Sequence, residues 1–169
     1  MEYQYIILQL EKNLAVFESL LNDKNNEEYL WKSTPEKWCL LEIICHLYDE
    51  EREDFRARLA HVLTTPTQPL PPIDPMGWVE KRQYIHANYH DTLNNFLRER
   101  YYSVQWLKSI VNANWESAFQ HPQYGPLTAS MFLTNWLAHD YLHVRQITKL
   151  NYDYLKYYTS EDLRYAGDW

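Results

Sequence analysis

The sequence predicts an all-α protein, a four-helix bundle with a long proline-rich crossover between helices 2 and 3. Three observations carry this. Apolar residues recur at spacings of three and four along four separate segments. Glycine is scarce, 3 residues in 169, about 2% against the ~7% of a typical globular chain. That argues against a hairpin-rich β fold, whose tight turns need φ > 0. Five of the eight prolines crowd into residues 64–77, between the second and third segments. A chain of this length reads as one domain, 1–169, able to bury most of its apolar surface without disulfides or structural metals.

The first segment runs from about Glu2 to Leu21 and sets Tyr3, Ile6, Leu10, Leu14, Phe17 and Leu21 on one face. Asn22-Asp23-Lys24-Asn25-Asn26 ends it. The second opens at Ser33-Thr34-Pro35-Glu36, which offers an N-cap hydroxyl, a first-turn proline and an acid at capping-box spacing. From Trp38 to Val62 its face reads Leu41, Cys45, Tyr48, Phe55, Leu59 and Val62, interrupted by Arg52. Residues 64–77, TTPTQPLPPIDPMG, are not helical. Polyproline-type chain of that length spans ~43 Å, against ~38 Å for a helix of about 25 residues. The linker therefore reaches the length of the bundle, which permits helices 2 and 3 to run parallel. The third segment, about Trp78 to Val111, carries Trp78, Ile85, Tyr89, Leu93, Phe96, Val104, Leu107 and Val111, with Arg100 inside the stripe. A loop over about Asn112–Pro126 precedes the fourth, about Leu127 to Leu150. That segment is apolar nearly all round, which suits a central helix or an interface. The tyrosine-rich tail, Asn151 to Trp169, has room for a short helix.

The net charge of −7 opposes nucleic-acid binding, because no basic patch offsets it. Glycine loops for phosphate binding, G-x-G-x-x-G or G-x-x-x-x-G-K-[ST], do not occur. No apolar run approaches the 18 residues of a membrane span, and the first residues lack a basic signal-type region. Cys39 and Cys45 lie six apart on one predicted helix, ~9 Å along its axis, too far to pair there. Reduced thiols and no export signal give a cytoplasmic expectation.

The chemistry points to histidine. His139 and His143 stand at i, i+4 on the most apolar helix, so both imidazoles share a face one turn apart. Such a pair can hold one transition metal. It also fits two core histidines bonded to backbone or tyrosine hydroxyls. His86 and His90 share the spacing but slide off the apolar stripe toward solvent, and His61 and His121 lie near segment ends. His46 is the natural third ligand: it follows the apolar run Leu40–Cys45 and precedes Asp49-Glu50-Glu51 and Glu53. Those acids form either a solvated face paired with Arg52, Arg56 and Arg58, or a source of one carboxylate. Glu50, one turn on, or Asp49 beside it would then orient His46 or join the metal as a fourth ligand.

Two stretches carry a family resemblance. Pro35-Glu36-Lys37-Trp38 leads into Glu42-Ile43-Ile44-Cys45-His46-Leu47. His121-Pro122-Gln123-Tyr124-Gly125 is followed by His139-Asp140-Tyr141-Leu142-His143-Val144-Arg145-Gln146-Ile147. In order and spacing they resemble the DinB/YfiT-like metalloenzymes over roughly residues 1–150. (The name denotes a damage-inducible family, not the DNA polymerase.) The resemblance implies a four-helix bundle that binds one divalent metal ion through three histidines, matched here to His46, His139 and His143. The ion it implies is zinc, nickel or manganese. Some relatives are S-transferases that use low-molecular-weight thiols such as bacillithiol or mycothiol. Members are commonly homodimers, so the expected partners are a small-molecule substrate and a second copy, without nucleic acid or membrane.

Three neutral imidazoles leave at least one coordination position open, as a catalytic site requires. A thiol or a water could take it, which gives thiol transfer or hydrolysis. Glu50 is the candidate base and Gln146 could steer a ligand. Arg100 in an apolar stripe is either the grip for a substrate carboxylate or one half of an internal ion pair with an acid of helix 2. Thiol transfer ranks ahead of hydrolysis, because the acids near the site lie on one helix beside arginines that can occupy them. A non-catalytic helical module that binds metal or ligand is the remaining reading.

Overall fold

A computed structural model of the chain describes residues 2–110, 112–167 and 169. Its frame is built from helices. The first, α1 (Glu2–Leu21), is followed by the short α2 (Asn26–Leu30). A continuous helix then runs through α3 (Leu40–Asp49), a π-helical segment (Glu50–Phe55) and α4 (Arg56–Thr64). Residues 65–74 carry no regular structure before α5 (Pro75–Lys81) and a 3₁₀ turn (Tyr84–His86). Then come α6 (Tyr89–Ser109), a hairpin of β1 (Ala118–His121) and β2 (Gly125–Thr128), α7 (Ala129–Thr159) and a final 3₁₀ turn (Leu163–Ala166).

Cross-helix pairs fix the directions. Asn13 meets Asp140 and Asn151 meets the Leu20 carbonyl, so α1 and α7 run the same way. Glu51 meets Arg100 and Arg56 meets Ser103, so the α3–α4 helix and α6 also run together. Tyr89 donates to the Leu21 carbonyl while Lys108 pairs with Glu11, so α1 and α6 are antiparallel. The four long helices therefore go up, down, down, up.

The apolar stripes fold inward in two clusters. One gathers Phe17, Leu21, Ile43, Leu47, Phe96 and Ile147; the other gathers Leu10, Leu59, Val104, Leu107, Leu133 and Trp136. Burying side chains of this size stabilises by ~1.5–3 kcal/mol each.

Several boundaries differ from those the sequence suggests. Ser33-Thr34-Pro35-Glu36 forms a turn, closed by Lys37 N–H on the Thr34 carbonyl, and the helix starts at Leu40. The Glu42 carboxylate supplies the cap by accepting from Cys39 N–H at 2.9 Å. The third segment is broken into α5, a 3₁₀ turn and α6. Asn88 caps α6 by accepting from Asp91 N–H, and Tyr84 is buried where Ile85 was expected. Val111, placed at the end of that stripe, lies outside the described residues. The 112–126 loop is largely a hairpin, with Gly125 at φ +71°, a left-handed turn position that suits glycine. His121 Nδ1 accepts from the Gln123 and Tyr124 amides and staples that turn. Thr128 caps α7, which extends to Thr159, well beyond Leu150. No described helix is long and apolar enough to cross a membrane.

The inward face of this helix is set by Leu47, Glu51 and Phe55, which stand four residues apart and are all buried. A stripe counted from Tyr48 points Arg52 at the core instead. Arg52 lies at the edge, within the π-helical segment, and pairs with Asp49 at 2.7 Å.

Candidate metal centre

His46 projects from α3, just before the π turn. His139 and His143 project from successive turns of α7, which passes antiparallel. Their Nε2 atoms converge: His46 to His139 is 3.3 Å and His143 to His139 is 3.0 Å. Among the described residues these three are the group whose donor atoms lie close enough together to hold a metal ion. At ~2.0–2.1 Å from zinc, two tetrahedral ligand nitrogens stand about 3.3 Å apart. Octahedral angles bring them to about 3.0 Å. The observed separations suit three imidazoles on one ion.

The alternative, a hydrogen-bonded histidine cluster, is poorly satisfied. His139 Nε2 has either one hydrogen or one lone pair, and it faces two other ring nitrogens. At most one of those contacts can be a good hydrogen bond. Nδ1 of both His46 and His143 is buried with no hydrogen-bond partner. It is the Nε2 atoms that turn toward a common point, and that arrangement suits a cation.

Packing fixes the rings. Trp38 lies 5.0 Å from His46 and Phe55 lies 5.0 Å from His139, centroid to centroid. His46 and His143 are buried, and His139 is half-buried. Burial lowers all three pKa values, with neighbouring His143 adding to the shift at His46 and His139. His46 falls to about 3 and His139 to about 2. The imidazoles are therefore neutral at pH 7, the form that ligates a metal.

Of the acids read either as a solvated face or as a source of one carboxylate, Asp49, Glu50 and Glu51 are buried, each at most 5% exposed. Glu50 Oε1 lies 4.0 Å from His46 Nδ1, on the side of the ring opposite the converging Nε2 atoms. Burial and the neighbouring Asp54 push its carboxyl up to about 9, so it is protonated at neutral pH and is no ready base. Asp49 is taken up by Arg52, Arg82 and the Tyr84 hydroxyl.

Arg100 is 1% exposed. Its guanidinium spans Glu51, through Nε and Nη2, and Asp140, at 2.6 and 2.7 Å through Nη1 and Nη2. Four of its five N–H groups are used and the group is sealed from solvent, so it occupies the internal ion pair and does not grip a substrate. Trp136 Nε1 donates to Glu51 at 3.0 Å and Asn13 Nδ2 to Asp140 at 2.9 Å, which supports the second carboxylate. This polar layer locks α1, α3–α4, α6 and α7 together beside the imidazoles.

Gln146 is exposed on α7 beside His143, at the rim of a cleft. His86 and His90 are both exposed, one on the 3₁₀ turn and one on α6, and take no part in the histidine group. The sequence pointed Arg100 to an acid of helix 2 without choosing Glu51, and it did not single out Asn13 or Asp140. The one available signal was Arg100 itself, since a buried guanidinium requires carboxylates.

The comparisons agree with this architecture. A family model described as the DinB superfamily matches residues 9–147. No curated protein matches. Among solved structures the chain is similar to YfiT from Bacillus subtilis, described as a probable metal-dependent hydrolase with an unusual four-helix bundle topology. The TM-score is 0.76 at 19% identity, covering 88% of this chain and 85% of that one. The family match spans most of the chain, including all three converging histidines, and the chain belongs to the DinB superfamily.

Proposed function

We propose that the protein is a metal-dependent enzyme that transfers a low-molecular-weight thiol to an electrophilic small molecule. The observation that carries it is the convergence of three neutral Nε2 atoms with no fourth protein donor in the group. His46, His139 and His143 would hold a divalent ion there, and its Lewis acidity would favour the ionised form of a thiol at neutral pH. An all-imidazole set favours zinc or nickel over manganese, which prefers oxygen ligands.

Thiol transfer asks little of the surrounding side chains. The nearby acids are committed: Asp49 and Glu51 to arginines, and Glu50 to its protonated form. Hydrolysis of an amide or ester usually recruits a positioned acid or base as well. The chain's residues instead bind, orient and exclude water. Trp38 and Phe55 wall the imidazoles, and Gln146 offers an amide at the rim. The second reading is a metal-dependent hydrolase. The description of the Bacillus subtilis structure favours it.

The test is direct. Zinc-loaded protein is incubated with monochlorobimane and a panel of thiols (cysteine, glutathione, dithiothreitol, bacillithiol, mycothiol), and separately with p-nitrophenyl esters without thiol. Thiol transfer predicts bimane conjugation above the uncatalysed rate, lost with His139→Ala. It also predicts a sulfur-to-metal charge-transfer band when thiol is added to Co(II)-substituted protein. Ester hydrolysis without thiol, and no spectral response to any thiol, would replace it with the hydrolase.

A further inference from the structure

A cleft of about 530 Å³ opens beside the histidines, between the 33–38 turn and the middle of α7. The imidazoles do not line it. The partition is Trp38, which packs on His46, and Gln146, beside His143. Its volume lies in the range of small-molecule sites.

The cleft's charge runs against that of the molecule. The chain carries −7, and most of its arginines are neutralised: Arg52, Arg56, Arg58, Arg82, Arg100 and Arg164 each have a carboxylate partner. Lys37 and Arg145 line the cleft, are exposed, and make no side-chain hydrogen bond or ion pair among the described residues. Lys149 joins them, pairing with Asp153 at 2.5 Å. Three basic side chains and one acidic side chain, with Trp169 beside them, thus line a concave space in an acidic protein. Like charges gathered this way repel each other, and an anion between them relieves that repulsion. Trp38 and Leu150 add flat and apolar surface to the same walls.

We infer that this cleft holds the anionic arm of the substrate, so the ligand is a small amphiphilic molecule with a carboxylate or phosphate beside a flat apolar part. Lys37 and Arg145 bind the anion, Trp38 stacks on the apolar part, and Gln146 marks the path to the imidazoles. Where the reacting end lies rests on the metal-centre reading; anion binding itself does not.

Matched probes test this on the zinc-loaded full chain by titration calorimetry. 1-Naphthylacetate and its neutral amide share one hydrophobe, and 1-naphthyl phosphate shows which anion is preferred. The expected result is that one or both anions bind at least about tenfold tighter than the amide. Added salt should weaken the anions and leave the amide unchanged. Lys37→Ala/Arg145→Ala should remove the preference while amide affinity and zinc content stay the same. Equal affinities, no binding of any probe at millimolar concentration, or a preference that survives in the double variant overturns the inference. In the last case the anion is going to the metal. Zinc content of the same samples separates the two ideas. Anion preference without retained zinc sinks the metal reading alone, and retained zinc without anion preference sinks this one alone.

Discussion

Replacing Arg100 by leucine should be among the most damaging single changes in the molecule. The guanidinium is 1% exposed and faces two carboxylates, Glu51 at 1% and Asp140 at 0%. Without it both acids stay buried, supported only by Trp136 Nε1 and Asn13 Nδ2. Removing one partner of a buried ion pair costs about 3–5 kcal/mol, because the partner's charge is left unpaired in low dielectric. At ~2.1 cal/mol/K of unfolding entropy per residue, 169 residues convert that into a Tm lower by about 8–14 °C. Thermal and urea unfolding at pH 7 followed by circular dichroism, with excess EDTA to remove metal linkage, would read both numbers. The triple variant Arg100→Leu/Glu51→Gln/Asp140→Asn removes the stranded charges and should recover more than half of the loss. A loss under about 1 kcal/mol in the single variant, or a triple variant no better than it, would refute the claim that this network is a desolvated ion cluster.

Two further outcomes follow from the same site. Glu50→Gln should change stability and zinc affinity little, within about 1 kcal/mol at pH 7, since the carboxyl it replaces is already protonated there; a tenfold drop in zinc affinity by competition titration would show that the ionised carboxylate serves the metal. Acid should draw down what His46 contributes to the metal-free protein: it titrates near 3 when folded and near 6.5 when unfolded, so at this group the unfolded state binds more protons between those values. The His46 contribution is then full above about pH 6.5 and is lost as pH drops toward 3, and His46→Gln should remove that slope from the Tm-against-pH curve.

Periodicity carried most of the fold. The four apolar stripes map onto α1, the α3–α4 helix, α6 and α7, and Leu10, Phe17, Leu59, Phe96 and Leu107 are buried as their spacing requires. Two things escaped that logic. Capping at Cys39 depends on Glu42 reaching back to a backbone amide, whereas Ser33-Thr34-Pro35-Glu36 carries the better local signal and forms a turn. Local propensity lost to the tertiary packing of α3. The π-helical segment is the second. A stripe counted from Tyr48 puts Arg52 inward, whereas the buried positions are Leu47, Glu51 and Phe55, four apart through the π-helical segment. The inward turn of Glu51 was hidden with it. At the metal centre, helical spacing paired His139 with His143. Placing His46 against them needed the antiparallel passage of α3 and α7, which a single sequence does not encode locally.

The central claim is that His46, His139 and His143 hold one divalent ion together. Metal content of the purified protein, measured by inductively coupled plasma mass spectrometry after equilibration with zinc and desalting, tests it most directly. One ion per chain is expected in the wild type and in His86→Ala and His90→Ala. A sharp loss is expected in each of His46→Ala, His139→Ala and His143→Ala. Undiminished zinc in all three of those variants would contradict it.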